Sequence, residues 1–322
     1  MAQIGNCNER GRDSRGAHHM RKLIVLLALA IGVFATSALP AGAITGDPVE
    51  DTEHPFVGLV AFYDEQGQYS HRCSGSLLTP TVLLTAGHCT TDFFGPTATA
   101  RVYFQQDAGA NYDPQTGIDP VTGFPEECAP GTLGVSCATS DELYDYDYAT
   151  SGPPWREFPD IRDVGLVVLD QPINLSEYGR LAADGTLDEL ATRRGQKETT
   201  FTLSGYGLTE ANPAHEVDPR ERLMATSKLT NLRSALTDGY SVRLGGNGND
   251  EGGACFGDSG GPVFFGGFSS NTIVALSGWF LGPRQVCTGS GYYYRTDRQE
   301  VIDWILQTVP ESEASEIDIV EL

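Results

Sequence analysis

The sequence has 322 residues, of which 40% are hydrophobic and 20% charged, enough for one large domain or two small ones with hydrophobic cores. Its formal net charge at pH 7 is −22, with 43 acidic and 21 basic residues. Such a surface repels nucleic acid and anionic lipid, so the composition argues against a nucleic-acid-binding role. We interpret the acidic surface as one that keeps a secreted protein soluble.

The N-terminal residues 1–43 are predicted to be a secretory signal that is removed. Arg21 and Lys22 precede an apolar run, and the small residues AGA at 41–43 form a cleavage site. Met20 is the more natural translation start. The apolar run is short for a membrane span, so a retained anchor is only the alternative. We expect a secreted, extracellular protein with no membrane attachment after signal removal.

Short apolar or alternating runs separated by turn residues occupy much of the remaining chain. They span residues 56–63, 72–78, 81–86, 97–104, 163–169, 200–207 and 272–280. Many short strands with irregular loops are typical of β-barrels and sandwiches. The polar segment 176–198 is predicted to link two halves of the molecule.

An acidic insertion, residues 105–150, lies between the fourth and fifth of these runs. From Asp107 to Asp147 it contains nine acidic and no basic residues. Aspartate, asparagine and backbone oxygens suit calcium, but the spacing matches no EF-hand loop. We interpret the insertion as a solvated acidic loop and keep a calcium site as the alternative; no other metal is expected.

One α-helix is predicted over residues 298–309. Three apolar residues fall on one stripe of it: Val301, Ile305 and Val309. Asp297 and Glu300 have the spacing of a capping box, and Pro310 ends the helix. The acidic residues 310–322 are predicted to form a loose tail.

An even number of cysteines follows the signal region, at positions 73, 89, 128, 137, 255 and 287. In an oxidising compartment this implies a disulfide framework. No Cys-x-x-Cys pair occurs among them, so a zinc site is not expected.

Three motifs carry reactive side chains. GDSGG at 257–261 fits the G-x-S-x-G pattern that α/β-hydrolases also use. An α/β-hydrolase needs its histidine after the serine, whereas the last histidine here is His215, before Ser259. Upstream, TAGHC places His88 beside Cys89, and DVGLVVLD begins with Asp163.

In the order His, Asp, Ser, these motifs resemble those of the trypsin-like (chymotrypsin-fold) secreted serine endopeptidases. The resemblance covers nearly all of residues 44–309. It implies an all-β fold of two six-stranded antiparallel β-barrels with a C-terminal α-helix. The first barrel is expected within residues 44–185, and the second, with the helix, within 186–309. The active site is expected in the cleft between them.

The resemblance also implies a role for each catalytic residue. Ser259 is the nucleophile, His88 takes its proton and returns it to the leaving group, and Asp163 holds the imidazole. The backbone N–H groups of Gly257 and Ser259 form the oxyanion hole, which a side chain at position 257 would obstruct. No cofactor is implied. The expected partner is a protein or peptide substrate, and the enzyme is expected to be a monomer.

Asp258 is implied to pair with a newly formed α-ammonium group at Ile44, where ITGD resembles the mature start of the family. Ile44 directly follows the expected signal-peptidase site. We hypothesise that secretion itself creates the activating terminus; a short propeptide and a separate activator are the alternative.

The resemblance assigns the disulfides Cys73–Cys89 and Cys255–Cys287. Cys128 and Cys137 lie close enough in sequence to staple a small loop, which gives the third pair, Cys128–Cys137.

The implied specificity pocket contains Gly253, Ser277, Trp279 and Gly291. Gly253 stands where trypsin has an aspartate, so a buried basic side chain would be unpaired, and a neutral, apolar or small residue is expected before the cut. Ser277-Gly278-Trp279 replaces the usual Ser-Trp-Gly of the pocket wall. Either Trp279 narrows the pocket or the alignment slips by one residue.

Two other classes of function stay open. The chain could be a non-catalytic homologue that binds a partner, particularly if Trp279 closes the pocket. It could also be an esterase on the same fold, since acyl transfer to Ser259 does not require an amide.

Overall fold

The described part of the chain is mostly β-sheet. The computed structural model describes residues 44–46, 48–109, 137–148, 158–191, 199–212, 215–246, 251–281, 287 and 289–322. All of them belong to one unit, Ala41–Leu322. The predicted signal region and most of the acidic insertion, with Cys128 and any calcium ligands around it, lie outside the described residues. Within the described residues, no helix is long and apolar enough to cross a membrane.

The first strands in chain order are β1 (Val49–Glu50), β2 (Val57–Tyr63), β3 (Tyr69–Leu77), β4 (Val82–Thr85), β5 (Thr99–Tyr103), β6 (Cys137–Ser140), β7 (Glu142–Asp145), β8 (Gly165–Val168) and β9 (Arg180–Ala182). The later ones are β10 (Thr200–Gly205), β11 (Glu210–Asn212), β12 (His215–Val217), β13 (Leu223–Asn231), β14 (Ser241–Gly245), β15 (Pro262–Phe265), β16 (Thr272–Leu281), β17 (Ser290–Arg295) and β18 (Ile319–Val320). The helices are α1 (Gly87–Thr90), α2 (Gln299–Thr308) and α3 (Glu311–Ala314), with a 3₁₀ turn at Asp188–Ala191.

The first sheet is an antiparallel, nearly closed barrel. Its order is β6-β5-β2-β3-β4-β8-β7. Asp141 alone separates β6 from β7 along the chain, so the two ends of the sheet meet there. If β6 and β7 are counted as one interrupted strand, the barrel has six strands, as the sequence predicts.

The second sheet contains a closed six-stranded ring. The ring runs β10-β13-β14-β17-β16-β15 and closes because β15 pairs with both β10 and β16. Short strands extend it: β1 pairs with β13, β9 pairs in parallel with β16, and β18 pairs in parallel with β9. Two barrel-like sheets and a short helix confirm the predicted fold class.

All seven apolar runs identified in the sequence are strands, namely β2, β3, β4, β5, β8, β10 and β16. Strand β2 is buried along its whole length because it lies inside the first barrel sheet and carries apolar residues on both faces. Each barrel has its own apolar cluster. The cluster of the first includes Leu59, Leu84 and Leu166, and that of the second includes Phe201, Val242 and Val263.

The predicted helix is confirmed as α2, which buries Val301 and Ile305, with Val309 buried just beyond its end. The predicted capping box is wrong. Arg298 is the N-cap residue and makes no side-chain cap bond. The Asp297 carboxylate instead accepts hydrogen bonds from the Leu187 N–H at 2.7 Å and from the Arg295 guanidinium at 2.8 Å. Leaving the buried Arg295 guanidinium unpaired would destabilise the fold more than leaving the exposed helix end without a side-chain cap.

Two segments are more ordered than the sequence predicts. The tail is not loose: residues 311–314 form α3, and Ile319 and Val320 pair with Leu181 and Ala182 of β9. The described part of the segment 176–198, residues 176–191, is also more than a linker, because its strand β9 pairs with both β16 and β18.

Candidate active site

His88 and Asp163 form a buried pair at one end of the first barrel. His88 lies in α1, directly after β4, and Asp163 precedes β8, which pairs with β4. The His88 Nδ1 atom is 2.9 Å from both carboxylate oxygens, and the His88 backbone N–H donates to Oδ1 at 2.9 Å. Donation from Nδ1 to the carboxylate leaves Nε2 as the proton-accepting nitrogen. The pair therefore has the geometry of an oriented general base.

The loop that carries Ser259 packs directly against the end of β4. Gly260 has φ +76°, and a Cβ there would collide with Thr85 Oγ1 and lie 2.7 Å from the Ala86 nitrogen. Ala86 is two residues before His88, so the bare glycine lets the serine loop approach the histidine helix. The Gly260 N–H fixes the loop on its other side by donating to the Ser277 carbonyl at 2.7 Å.

The two backbone N–H groups expected to form the oxyanion hole make no hydrogen bond within the described structure. Gly257 has φ +94°, a conformation that favours glycine. No acceptor among the described residues takes the backbone N–H of Gly257 or of Ser259. Free N–H groups on two nearby residues are the usual composition of an oxyanion hole.

Asp258, between these donors, is a buried carboxylate with 1% exposure. It accepts hydrogen bonds from the N–H groups of Gly207 and Cys255, both at 2.8 Å. Burial raises the pKa of Asp258 to about 8, although these hydrogen bonds and the more distant Arg72 act in the opposite direction. It forms no ion pair with any described residue. Among the described residues, therefore, no cation forms the direct ion pair that would stabilise a charged Asp258.

Ile44, the expected partner of Asp258, is fully buried in the cluster of the second barrel. The next residue, Thr45, pairs with Gly253 through two backbone hydrogen bonds of 3.0 and 3.1 Å. In this chain Ile44 follows Ala43, so its nitrogen is an amide and no ion pair with Asp258 forms. The residues are nevertheless seated beside the loop that leads to Asp258.

Two of the expected disulfides are present, Cys73–Cys89 and Cys255–Cys287. The first joins β3 to α1, next to His88, and the second anchors the loop before Ser259. Cys137 is disulfide-bonded as well, but its expected partner Cys128 lies outside the described residues.

A cavity of about 330 Å³ opens beside Ser259. Three of the expected pocket residues line it: Ser277, Trp279 and Gly291. Gly253 does not line it; a Cβ there would lie 2.9 Å from the Gly246 Cα, so Gly253 is packed against Gly246 and Thr45 instead. No charged side chain is among the described residues that line this cavity.

The unusual Ser277-Gly278-Trp279 order is explained by an irregularity in β16. Ser277 pairs with Tyr293 and Trp279 with Tyr292, so Gly278 is an extra residue on its strand. Trp279 stacks on Tyr292 with ring centroids 4.0 Å apart, and Phe280 follows it on the pocket wall. The extra residue accounts for the altered order, while Trp279 also borders the cavity, so a narrowed pocket and a slip of one residue both stay open.

Three aromatic residues of this cavity were not predicted from the sequence: Phe94, Phe256 and Phe280. Phe280 and Phe256 meet edge to face at 5.2 Å, and Phe256 is 42% exposed. A bulge depends on how two strands pair, so only its unusual Gly-Trp-Phe order in the sequence could have indicated Phe280. Phe256 could have been suspected from its place three residues before Ser259.

A second cavity, of about 300 Å³, lies on the histidine side. Its lining is largely aromatic and comprises His88, Phe93, Phe94, Tyr148, Phe158, Ile161, Asp163, Gly278 and Trp279. Phe94, Gly278 and Trp279 border both cavities. A Cβ on Gly278 would lie 3.1 Å from Asp163 Oδ2, which shows how closely the second barrel approaches the His88–Asp163 pair.

Comparison with known proteins shows which family the chain belongs to. A sequence model described as Trypsin matches residues 43–123 and 138–305. Phenoloxidase-activating factor 3 of Holotrichia diomphalia is 24% identical over 82% of this chain and 71% of its own length. Serine protease ea of Drosophila melanogaster is 26% identical over 80% of this chain and 64% of its own length.

A mouse relative is covered more completely. Kallikrein 1-related peptidase b16 of Mus musculus is 24% identical over 78% of this chain and 86% of its own length. Among solved structures, HL collagenase superposes with a TM-score of 0.56 at 16% identity, over 82% of this chain and 97% of that one. That likeness concerns the fold. With the family match over most of the chain, the conclusion is that this protein belongs to the trypsin family.

Proposed function

We propose that this protein is a serine endopeptidase that uses Ser259, His88 and Asp163. The observation that carries the proposal is the buried His88–Asp163 pair, in which Nδ1 is hydrogen-bonded to the carboxylate at 2.9 Å. The loop that contains Ser259 packs close to this pair because Gly260 has no side chain. A hydroxyl becomes an effective nucleophile only when an adjacent base takes its proton. The His88–Asp163 geometry supports such a base.

The reaction proceeds in two acyl transfers. Ser259 Oγ bonds to the scissile carbonyl carbon while its proton moves to His88 Nε2, and the carbonyl oxygen becomes an oxyanion facing the Gly257 and Ser259 N–H groups. The C–N bond then breaks, and the His88 proton leaves with the amine. Water repeats the sequence on the acyl-enzyme and releases the acid. Asp163 keeps the imidazole in the required tautomer throughout.

The test is intact-mass spectrometry of the protein with and without a peptidyl phosphonate probe. One adduct that is absent from Ser259→Ala is the expected result, together with hydrolysis of a matched peptide amide and ester. Hydrolysis of the ester alone would support an esterase. Absence of both adduct and turnover, from a chain beginning at Ile44, would favour a binding homologue and overturn the proposal.

For specificity, we propose a neutral apolar or small side chain before the cut. The support is the uncharged cavity beside Ser259, bordered by Phe256, Trp279 and Phe280. Burying an unpaired arginine or lysine there is unfavourable. A peptide library that varies the residue before the scissile bond tests this, and fastest cleavage after arginine or lysine would contradict it.

For activation, we propose that the protein is secreted and that removal of residues 1–43 supplies the Ile44 α-ammonium that pairs with Asp258. Two observations support this: Ile44 is fully buried, and the buried Asp258 carboxylate has no ion-pair partner among the described residues. N-terminal sequencing of the secreted protein should begin at Ile44. A start elsewhere would replace this scheme with a propeptide and a separate activator.

A further inference from the structure

Ser74 makes contacts that neither the motifs nor the proposed triad explain. It lies in β3, next to Cys73, and is fully buried. Its side chain and backbone both reach the loop that carries Ser259. The Ser74 N–H donates to the Ser259 carbonyl at 2.8 Å, and Ser74 Oγ donates to the Gly257 carbonyl at 2.9 Å.

The direction of the hydroxyl bond is fixed by its surroundings. The Tyr206 N–H donates to Ser74 Oγ at 2.9 Å, which occupies an acceptor site of the hydroxyl. A serine hydroxyl has a single proton, and the Gly257 carbonyl can only accept. The Ser74 proton is therefore committed to the Gly257 carbonyl.

These contacts fix two peptide groups of the serine loop. Gly257 C=O is held by Ser74 Oγ, and the N–H of the same peptide group, that of Asp258, donates to Cys255 C=O at 3.1 Å. The peptide group after Ser259 is held through its carbonyl by the Ser74 N–H and through its N–H by Ser277. Each donor residue of the proposed oxyanion hole is thus followed by a peptide group that hydrogen bonds restrain at both its carbonyl and its N–H.

Ser74 itself is anchored from behind. Its carbonyl accepts a hydrogen bond from Thr85 Oγ1 at 2.8 Å. Thr85 ends β4 and leads into the helix of His88, so one chain of hydrogen bonds connects the histidine side of the site to the oxyanion side.

We propose that Ser74 is a positioning residue for the oxyanion hole: its hydroxyl, through the Gly257 carbonyl, holds the Gly257 N–H on the developing oxyanion. This inference rests on the proposed function. Ser74 does not touch the substrate. Its removal therefore weakens transition-state binding while leaving substrate binding unchanged.

Ser74→Ala tests the inference, with Ser76→Ala as the matched control. Ser76 is on the same strand, is also fully buried, and its hydroxyl bonds to none of the described residues. Loss of a complete oxyanion donor lowers kcat by roughly 10²–10³, so displacement of one donor should lower it by about 10- to 50-fold. The KM of Ser74→Ala and the kcat of Ser76→Ala should each stay within about twofold of the value for the unaltered enzyme.

A second readout separates positioning from stability. A peptidyl trifluoromethyl ketone forms a tetrahedral adduct with an oxyanion, whereas the corresponding alcohol binds without one. In Ser74→Ala the ketone should lose affinity by about the factor lost in kcat, with the alcohol unchanged. Ser74→Cys, which keeps the shape but donates weakly, should give intermediate values and provides a folded variant if the alanine does not fold.

Equal weakening of ketone and alcohol, or unchanged kcat in Ser74→Ala and Ser74→Cys, would overturn the role of Ser74. A wild-type chain starting at Ile44 that neither reacts with the ketone nor hydrolyses peptide would overturn the proposed function itself. The two failures are therefore distinguishable.

Discussion

The two barrels contribute to the candidate site by different means. The first supplies His88 and Asp163, two side chains joined by hydrogen bonds in the uncleaved chain. The second supplies backbone N–H groups, whose placement depends on glycine conformations and on Asp258, a buried carboxylate with no ion-pair partner among the described residues. Under the proposed activation scheme, the acid–base half is complete before cleavage, while the oxyanion half depends on the α-ammonium group of Ile44, which cleavage supplies.

The largest expected effect is on the first barrel. Asp163→Asn should lower kcat by about 10⁴-fold, because an amide favours the wrong imidazole tautomer. Asp141→Asn, at an exposed position between β6 and β7, is the control and should leave kcat unchanged. Steady-state kinetics on a peptide substrate measure both, and an Asp163→Asn variant with more than a tenth of the original kcat would break the comparison.

Gly260→Ala tests the steric basis of the second barrel's contribution. The new Cβ would meet Thr85 and Ser74, and the residue has φ +76°. Such a change should cost about 3 kcal/mol in the free energy of unfolding and lower Tm by about 6–12 °C. Gly267→Ala is the matched control, since nothing lies within 4 Å of its Cβ position. Equal melting temperatures would show that the loop is not tightly packed.

The charge of Asp258 predicts a pH dependence of the uncleaved chain. Its folded pKa, about 8, lies above the ordinary value of 3.8, so this group's contribution is fully present below about pH 4 and is lost as the pH rises through 8. The Tm of uncleaved Ser259→Ala should therefore fall between pH 5 and pH 8.5, by about 2–4 °C for each kcal/mol lost. Adding Asp258→Asn should remove this component.

A chain that begins at Ile44 sharpens the same measurement. Its α-ammonium should stabilise the Asp258 carboxylate, and its Tm should hold until the amine itself titrates, near pH 8. Identical pH profiles for the long and short chains would contradict the activation scheme.

The smallest expected effect concerns the pocket. Phe280→Ala should change the relative kcat/KM for large over small apolar residues before the cut by about 10-fold, as expected for lost contact in an apolar pocket. Phe268→Ala, in the turn between β15 and β16, should leave the ratio unchanged. If the two variants show the same preference, Phe280 does not shape specificity.

Much of this structure could be predicted because its signals are local. Seven apolar runs gave seven strands, and one stripe of residues gave α2. The motifs around His88, Asp163 and Ser259 identified the site residues because a family resemblance links positions far apart in sequence. Their catalytic roles stay predictions.

The failures arose where pairing between distant segments decides the outcome. Gly278 is an extra residue only because β17 offers no partner for it, and Asp297 leaves its expected cap position because Arg295 is buried beside it. The contacts of Ser74 were also invisible, since a serine in a strand gives no sign of which carbonyl its hydroxyl will reach.

The pairings of β1 and β18 have a consequence for folding kinetics. Both strands join the second sheet, yet they come from opposite ends of the described residues. Closing such distant contacts loses much chain entropy before any stabilisation is gained, and high contact order slows folding. We therefore expect the six-stranded ring to form first and its edge strands to dock last, in a slow step. Until then the free edge of β9 is open to pairing with another chain.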